Sequence, residues 1–111
     1  MLRRCRLTLT LLGAFLAQQA SANLPAEAVL IDVRTPAEYA EGHVEGAHLI
    51  PFDGIATGIA ALELDKDAPV YLYCGSGRRA EKAKQDLENR GFSQVTNLGG
   101  LEQAQQATGE Q

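Results

Sequence analysis

The segment VYLYCGSGRRA, residues 70–80, contains the main clue to the fold. Its first four residues form an unalternating apolar run, which predicts a strand covered on both faces, as in a parallel sheet. A turn with two glycines follows Cys74, and a helix pattern begins at about Arg79. In open α/β folds, ligands bind where a strand ends and a helix begins. The segment therefore predicts an α/β fold with a ligand site beside Cys74.

Three further segments carry strand patterns. Residues 28–31 form a second unalternating apolar run, which predicts another central parallel strand. Shorter patterns at residues 48–50 and 94–96 end at Pro51 and at a run of turn-forming residues, respectively. The chain therefore predicts a mostly parallel sheet of about four strands.

Helix patterns lie between the predicted strands. Thr35 and Glu38 have the spacing of a capping box, and Pro36 occupies the first helical position. Apolar side chains share one face at residues 55–64 and again at residues 79–90. Strands that alternate with short helices predict a small α/β sandwich around a mostly parallel sheet.

Residues 1–22 have the order of a secretory signal peptide. Three arginines up to Arg6 precede an apolar stretch at residues 7–17, and ASA at residues 20–22 supplies small residues for cleavage. At about 1.5 Å per residue, this stretch is too short for the roughly 30 Å hydrocarbon core, and we expect no stable membrane anchor. We predict export to the periplasm, with residues 23–111 as the mature domain.

Charge and length limit what the mature domain does. A chain of 111 residues is long enough for one domain only. Residues 23–111 carry seven basic and fourteen acidic side chains, a net charge of −7, which argues against a nucleic-acid partner. Cys5 is lost with the signal peptide, and Cys74 is then the one cysteine of the mature chain.

The residues around Cys74 favour a reactive thiol. Gly75 and Gly77 permit backbone angles at which successive N–H groups point inward and bind an anion at a helix N-terminus. The helix dipole and Arg78 or Arg79 would favour the thiolate and lower its pKa from about 8.5 toward neutrality. The same spacing also fits an inert buried cysteine at an ordinary strand–turn–helix junction, and the residues alone leave both interpretations open.

A set of motifs spread over most of the mature chain resembles the single-domain rhodaneses, in particular their exported, stand-alone members. The motifs are IDVR (31–34), EY (38–39), GHV (42–44), GA (46–47), IP (50–51), YCGSGRRA (73–80), GF (91–92) and GGL (99–101). They occur in the family's order from about residue 30 to residue 101. One departure is the C-terminus, where the family's frequent aromatic is absent and residues 103–111 are polar, and we expect a frayed last helix there.

The resemblance implies a three-layer sandwich and a sulfurtransferase activity. In rhodaneses the loop cysteine attacks the outer sulfur of thiosulfate, releases sulfite and holds the sulfur as a persulfide for cyanide or a thiol acceptor. Cys74 takes that position, without a metal or another cofactor. The persulfide-binding loop consists of Gly75, Ser76, Gly77, Arg78 and Arg79. Arg79 matches the family's loop arginine, which orients the loop or the substrate, whereas Arg78 occupies a more variable position.

The resemblance also assigns supporting roles. Asp32 and Arg34 are implied to be structural clamps near the loop, which hold its backbone and the region of Glu38. His43 and His48 could form a Cys–His nucleophile pair, but we expect structural or exposed roles because one lies in a turn and the other borders a strand.

Other functions are compatible with parts of the pattern. Phosphatases and arsenate reductases of related fold resemble this chain in having a cysteine loop, but with five residues between Cys and Arg. Here four residues separate Cys74 from Arg79, which predicts a smaller cradle suited to one sulfur atom. A non-enzymatic rhodanese-like module, used for binding or regulation, typically lacks the cysteine. A redox sensor would need a resolving cysteine, which the mature chain lacks.

Overall fold

The computed structural model describes residues 24–110. The predicted signal peptide and Cys5 lie outside the described residues. The elements are β1 (Val29–Asp32), α1 (Pro36–Glu41), β2 (His48–Leu49), a 3-10 helix (Phe52–Gly54), α2 (Ile55–Leu62), β3 (Val70–Tyr73), α3 (Arg78–Asn89), β4 (Val95–Asn97) and α4 (Leu101–Ala107). The predicted alternation of strands and helices is confirmed. No helix of this part of the chain has the length and apolar character needed to cross a membrane.

The four strands form one sheet in the order β2-β1-β3-β4, and every pair is parallel. The two unalternating apolar runs are the central strands, as predicted. Asp32 at the end of β1 lies opposite Tyr73 at the end of β3. Because parallel strands end at the same edge of a sheet, the segments after Asp32 and after Tyr73 leave the sheet side by side.

Helices cover both faces of the sheet, which confirms the three-layer sandwich. On one face, Ile31 and Leu72 pack with apolar residues of α2 and α3, such as Ile59 and Leu87. On the other face, a smaller core contains Leu30, Val44, Ala47, Tyr73 and Ala104, with side chains of α1 and α4 packed against it. Alternate residues of each central strand therefore face different cores, and both positions are apolar because neither face of the sheet meets solvent.

Helix α1 begins as predicted, through a complete capping box. The Thr35 hydroxyl accepts a hydrogen bond from the Glu38 amide at 3.2 Å, and the Glu38 carboxylate accepts one from the Thr35 amide at 3.0 Å. These bonds satisfy two N–H groups that a helix start otherwise leaves without partners. Glu38 is therefore held in a defined position at the first turn of α1.

The expectation of a frayed last helix is wrong for residues 103–107, because Leu101–Ala107 forms helix α4, whereas residues 108–110 lie beyond its end. Ala104 is fully buried in the smaller core, and the Gln103 side chain accepts a hydrogen bond from the Gly100 amide at 3.0 Å. The polar composition suits this helix, because only one narrow stripe of it faces the sheet. Leu, Glu, Gln and Ala all favour a helix, and burial of Ala104 adds the tertiary packing that so short a helix needs.

Asp32 and Arg34 form a buried ion pair after β1. Arg34 Nη2 lies 2.8 Å from Asp32 Oδ2, and its Nε donates to the same carboxylate. The guanidinium also donates to the Gly42 carbonyl at 2.7 Å, and Gly42 ends helix α1. The pair therefore joins the end of β1 to the end of α1.

Replacing one member of this pair should destabilise the fold strongly. Arg34→Met leaves the Asp32 carboxylate buried without its cation and should lower the free energy of unfolding by about 3–5 kcal/mol in chemical denaturation. Lys84→Met is the matched control, because it breaks a more exposed ion pair with Glu88 and should change stability far less. The double variant Asp32→Leu, Arg34→Met should recover part of the loss. A single variant as stable as the wild type would contradict the role of the pair.

Candidate active site

Cys74 lies immediately after β3, at the edge where the central strands end. The residue is fully buried. Its amide donates a hydrogen bond to the Gly99 carbonyl at 3.0 Å, which ties the backbone of Cys74 to the segment after β4. The position of the sulfur is therefore set by the sheet on one side and by the loop of residues 75–79 on the other.

Backbone amides of this loop surround the Cys74 sulfur. The Gly77 amide donates to Sγ at 3.0 Å and the Ala80 amide donates at 3.4 Å. Burial raises the pKa of the Cys74 thiol, but these amides, with those of Ser76 and Arg79, lower it by more. The net pKa lies below that of an ordinary cysteine, because the donors stabilise the thiolate and not the thiol. The inward-pointing amides predicted for this loop are thus present around the sulfur.

Glycines at two positions allow this geometry. Gly77 has a φ of +95°, which side chains rarely adopt, and a Cβ there would lie 3.3 Å from the Cα of Gly99. A Cβ on Gly100 would come within 2.5 Å of the Gly75 carbonyl oxygen. The loop after β3 and the turn after β4 therefore touch backbone to backbone, and larger residues at Gly77 or Gly100 would push them apart.

Arg79 forms a bidentate ion pair with Glu38. Its two terminal nitrogens lie 2.9 and 3.1 Å from the two carboxylate oxygens. Hydrogen bonds from Arg79 and then Thr35 lower the pKa of Glu38 to about 2. The pKa of Arg79 is raised, chiefly by Glu38 and to a smaller extent by the charge of Cys74. Arg79 is therefore a fixed positive charge near the sulfur, held there by helix α1.

The other predicted site residues are either exposed in the loop region or bonded to other parts of the fold. Arg78 is exposed at the first position of α3, and Ser76 is exposed in the loop. The hydrogen bonds of Arg34 go to Asp32 and Gly42, and the pair therefore holds the end of α1 rather than the loop backbone.

The two histidines are exposed, as expected from the sequence. The His43 ring stacks on Tyr39 with 3.6 Å between centroids, and its Nδ1 bonds to the Tyr39 carbonyl. His48 lies in the edge strand β2. Within residues 24–110, no group of three or more His, Cys, Asp or Glu side chains is arranged to hold a metal ion.

Sequence reasoning missed two residues that organise the site. The sequence placed Glu38 in a capping box and in the motif EY, but it did not predict the ion pair of Glu38 with Arg79, which lies 41 positions away. Asn97, the last residue of β4, donates to the Gly77 carbonyl at 2.9 Å. Its position just before the motif GGL was the one available signal, since turns of this kind carry side chains that bond to nearby backbone.

Comparisons with known proteins agree with this geometry. A family model described as a rhodanese-like domain matches residues 16–107. The chain is 42% identical over 71 residues to the thiosulfate sulfurtransferase PspE of Escherichia coli K12, covering 64% of this chain and 68% of that protein. It is 36% identical over 83 residues to the thiosulfate sulfurtransferase GlpE of Stutzerimonas stutzeri, covering 75% and 74% of the two chains. A solved structure described as a rhodanese with anions from E. coli superimposes with a TM-score of 0.66 at 39% identity, over 68% of this chain and 89% of that one.

The Cys74 thiolate should be populated at lower pH than a free cysteine. The rate of alkylation by a small reagent such as iodoacetamide should titrate with a midpoint below about 8.5, and Arg79→Ala should raise this midpoint by about 0.5–1 pH unit because a nearby positive charge is lost. Arg90→Ala is the control, because Arg90 follows the opposite end of α3 and pairs there with Asp86. A wild-type midpoint near the free value would identify Cys74 as an inert buried residue.

Proposed function

This chain belongs to the rhodanese-like domain family of sulfurtransferases, and we propose that it is a thiosulfate sulfurtransferase that carries sulfur on Cys74. The proposal depends above all on one observation, the backbone amides that converge on the buried Cys74 sulfur. The named activity of the relatives PspE and GlpE supports thiosulfate as the donor.

In the first half of the reaction, the Cys74 thiolate attacks the outer sulfur of thiosulfate. A new S–S bond forms, the bond between the two sulfur atoms of thiosulfate breaks, and sulfite leaves with the electron pair. Cys74 is left as a persulfide anion, whose terminal sulfur carries the negative charge. Loop amides that already face the sulfur act as preorganised donors for this charge, in the manner of an oxyanion hole.

In the second half, an acceptor removes the outer sulfur. Cyanide attacks it and leaves as thiocyanate, or a thiolate attacks it and leaves as a new persulfide, and in both cases the bonding electrons return to Cys74 as thiolate. Electrons and charge balance without an added oxidant or cofactor. Burial of Cys74 keeps bulk water from competing for the bound sulfur, while the exposed Gly75 and Ser76 mark the side from which substrates arrive.

The surroundings of Arg79 favour a sulfur substrate over a phosphoryl group. An arginine that binds a phosphoryl group does so best with two parallel N–H bonds to its oxygens. Both terminal nitrogens of Arg79 are engaged by Glu38 instead. Arg79 therefore contributes positive charge to the loop, while the pair of N–H groups formed by its two terminal nitrogens binds Glu38 and not a phosphoryl group.

The decisive assay compares the wild type with Cys74→Ser. The wild type should form thiocyanate from thiosulfate and cyanide, and its mass should increase by one sulfur atom after thiosulfate alone. Cys74→Ser should fold normally and do neither, because Ser lacks the nucleophilic thiolate. Ser93→Ala, whose hydroxyl bonds to the Lys66 carbonyl, is a control that should retain turnover. Turnover by Cys74→Ser, or a higher kcat/KM for an aryl phosphate than for thiosulfate, would refute the proposal.

We also propose that the protein acts in the periplasm after removal of residues 1–22. The order of basic, apolar and small residues at the N-terminus supports this location. The protein purified from the envelope fraction of its native host should have an intact mass that begins at Asn23. A mature protein that still contains residues 3–12 would contradict export by cleavage.

A further inference from the structure

The Asn97 side chain makes three hydrogen bonds to the segments around Cys74. Its Nδ2 donates to the Gly77 carbonyl at 2.9 Å and to a carboxylate oxygen of Glu81 at 3.1 Å. Its Oδ1 accepts from the Gly99 amide at 2.9 Å. An amide group has two N–H donors and one oxygen, and each of them has a partner here. The orientation of this side chain is therefore determined by its neighbours.

The two glycines that Asn97 bonds to are the two that contact Cys74. The Gly77 amide donates to the Cys74 sulfur at 3.0 Å, and the Gly99 carbonyl accepts from the Cys74 amide at 3.0 Å. Asn97 is therefore linked to Cys74 by two sets of hydrogen bonds, one through Gly77 in the loop and one through Gly99 in the turn after β4. No other side chain in the described part of the chain hydrogen-bonds to both glycines.

Asn97 adds a second hydrogen bond at the Gly77 carbonyl, which already accepts one from the Glu81 amide of α3 at 2.9 Å. Gly77 precedes α3 with a φ of +95°, and as a glycine it has no side chain that could cap the helix. Glycine also has more conformational freedom to lose than any other residue. A bond from β4 to the Gly77 carbonyl restricts this freedom and keeps the Gly77 amide directed at the sulfur.

We propose that Asn97 is a positioning residue for Cys74, which it serves by holding the Gly77 and Gly99 peptides in place. Its relevance to sulfur transfer rests on the proposed function, whereas its effect on the thiolate does not. The role requires an amide specifically. An aspartate has the same shape but lacks both donors, and its oxygen would face the Gly77 carbonyl and the Glu81 carboxylate.

The test compares Asn97→Ala with Gln94→Ala by the pH dependence of Cys74 alkylation. Gln94 is a matched control, since its side-chain amide donates a single bond to the Asp67 carbonyl at the opposite end of β4. Asn97→Ala should raise the alkylation midpoint by about 0.5–1 pH unit, which is about a 3–10-fold loss of thiolate below the midpoint. Its kcat for thiocyanate formation should fall by a similar factor, whereas Gln94→Ala should change neither quantity.

Two further variants keep the test decisive. Asn97→Ser retains one hydroxyl donor and should give a smaller rise in the midpoint, which can be measured even if the alanine variant does not fold. Asn97→Asp should give a larger rise than Asn97→Ala, because it adds a negative charge near the thiolate.

The outcomes separate this inference from the proposed function. Midpoints in Asn97→Ala and Asn97→Ser equal to that of the wild type would overturn the positioning role, even if both variants were less stable. If the wild type transferred no sulfur but the midpoints rose as expected, the role of Asn97 toward Cys74 would stand and the proposed function would fall.

Discussion

The arrangement of this domain depends on the need to hold a negative charge on a buried sulfur atom. Burial alone would keep Cys74 protonated, because a charge out of water is costly without compensation. The compensation comes from backbone amides of the loop, two of which lie within 3.4 Å of the sulfur. Amides can converge in this way only if the backbone turns sharply, and glycine at position 77 makes that turn possible.

Contacts from other elements of the fold hold this loop in place. They come from helix α1 and from strand β4 with the turn after it. Helix α1 contributes Glu38, which fixes the Arg79 guanidinium. Strand β4 contributes Asn97, and the turn after it packs its glycines against the loop. The buried Asp32–Arg34 pair holds the far end of α1. These contacts come from different elements, and the parallel sheet brings the elements together at one edge.

The groups around the Cys74 sulfur are electropositive, whereas the chain as a whole has a negative net charge. Residues 23–111 carry a net charge of −7, but the sulfur faces amides, the N-terminus of α3 and Arg79. Glu38 pairs with Arg79, and the backbone dipoles of the loop and of the start of α3 add to the attraction that Arg79 offers a small anion. Such dipoles act over a short range and favour the sulfur itself over a large polyanion.

The sequence by itself determined the features that depend on near neighbours. These are the two apolar central strands, the Thr35–Glu38 capping box, and the strand–cysteine–glycine–helix junction that predicted inward-pointing amides beside Cys74. Tertiary structure decided the rest. Glu38 meets Arg79 across 41 positions, Asn97 meets Gly77 across 20, and helix Leu101–Ala107 buries Ala104 in the smaller core. Local patterns report the conformation of a few consecutive residues, whereas these contacts exist only after the parallel sheet has brought distant segments to one edge.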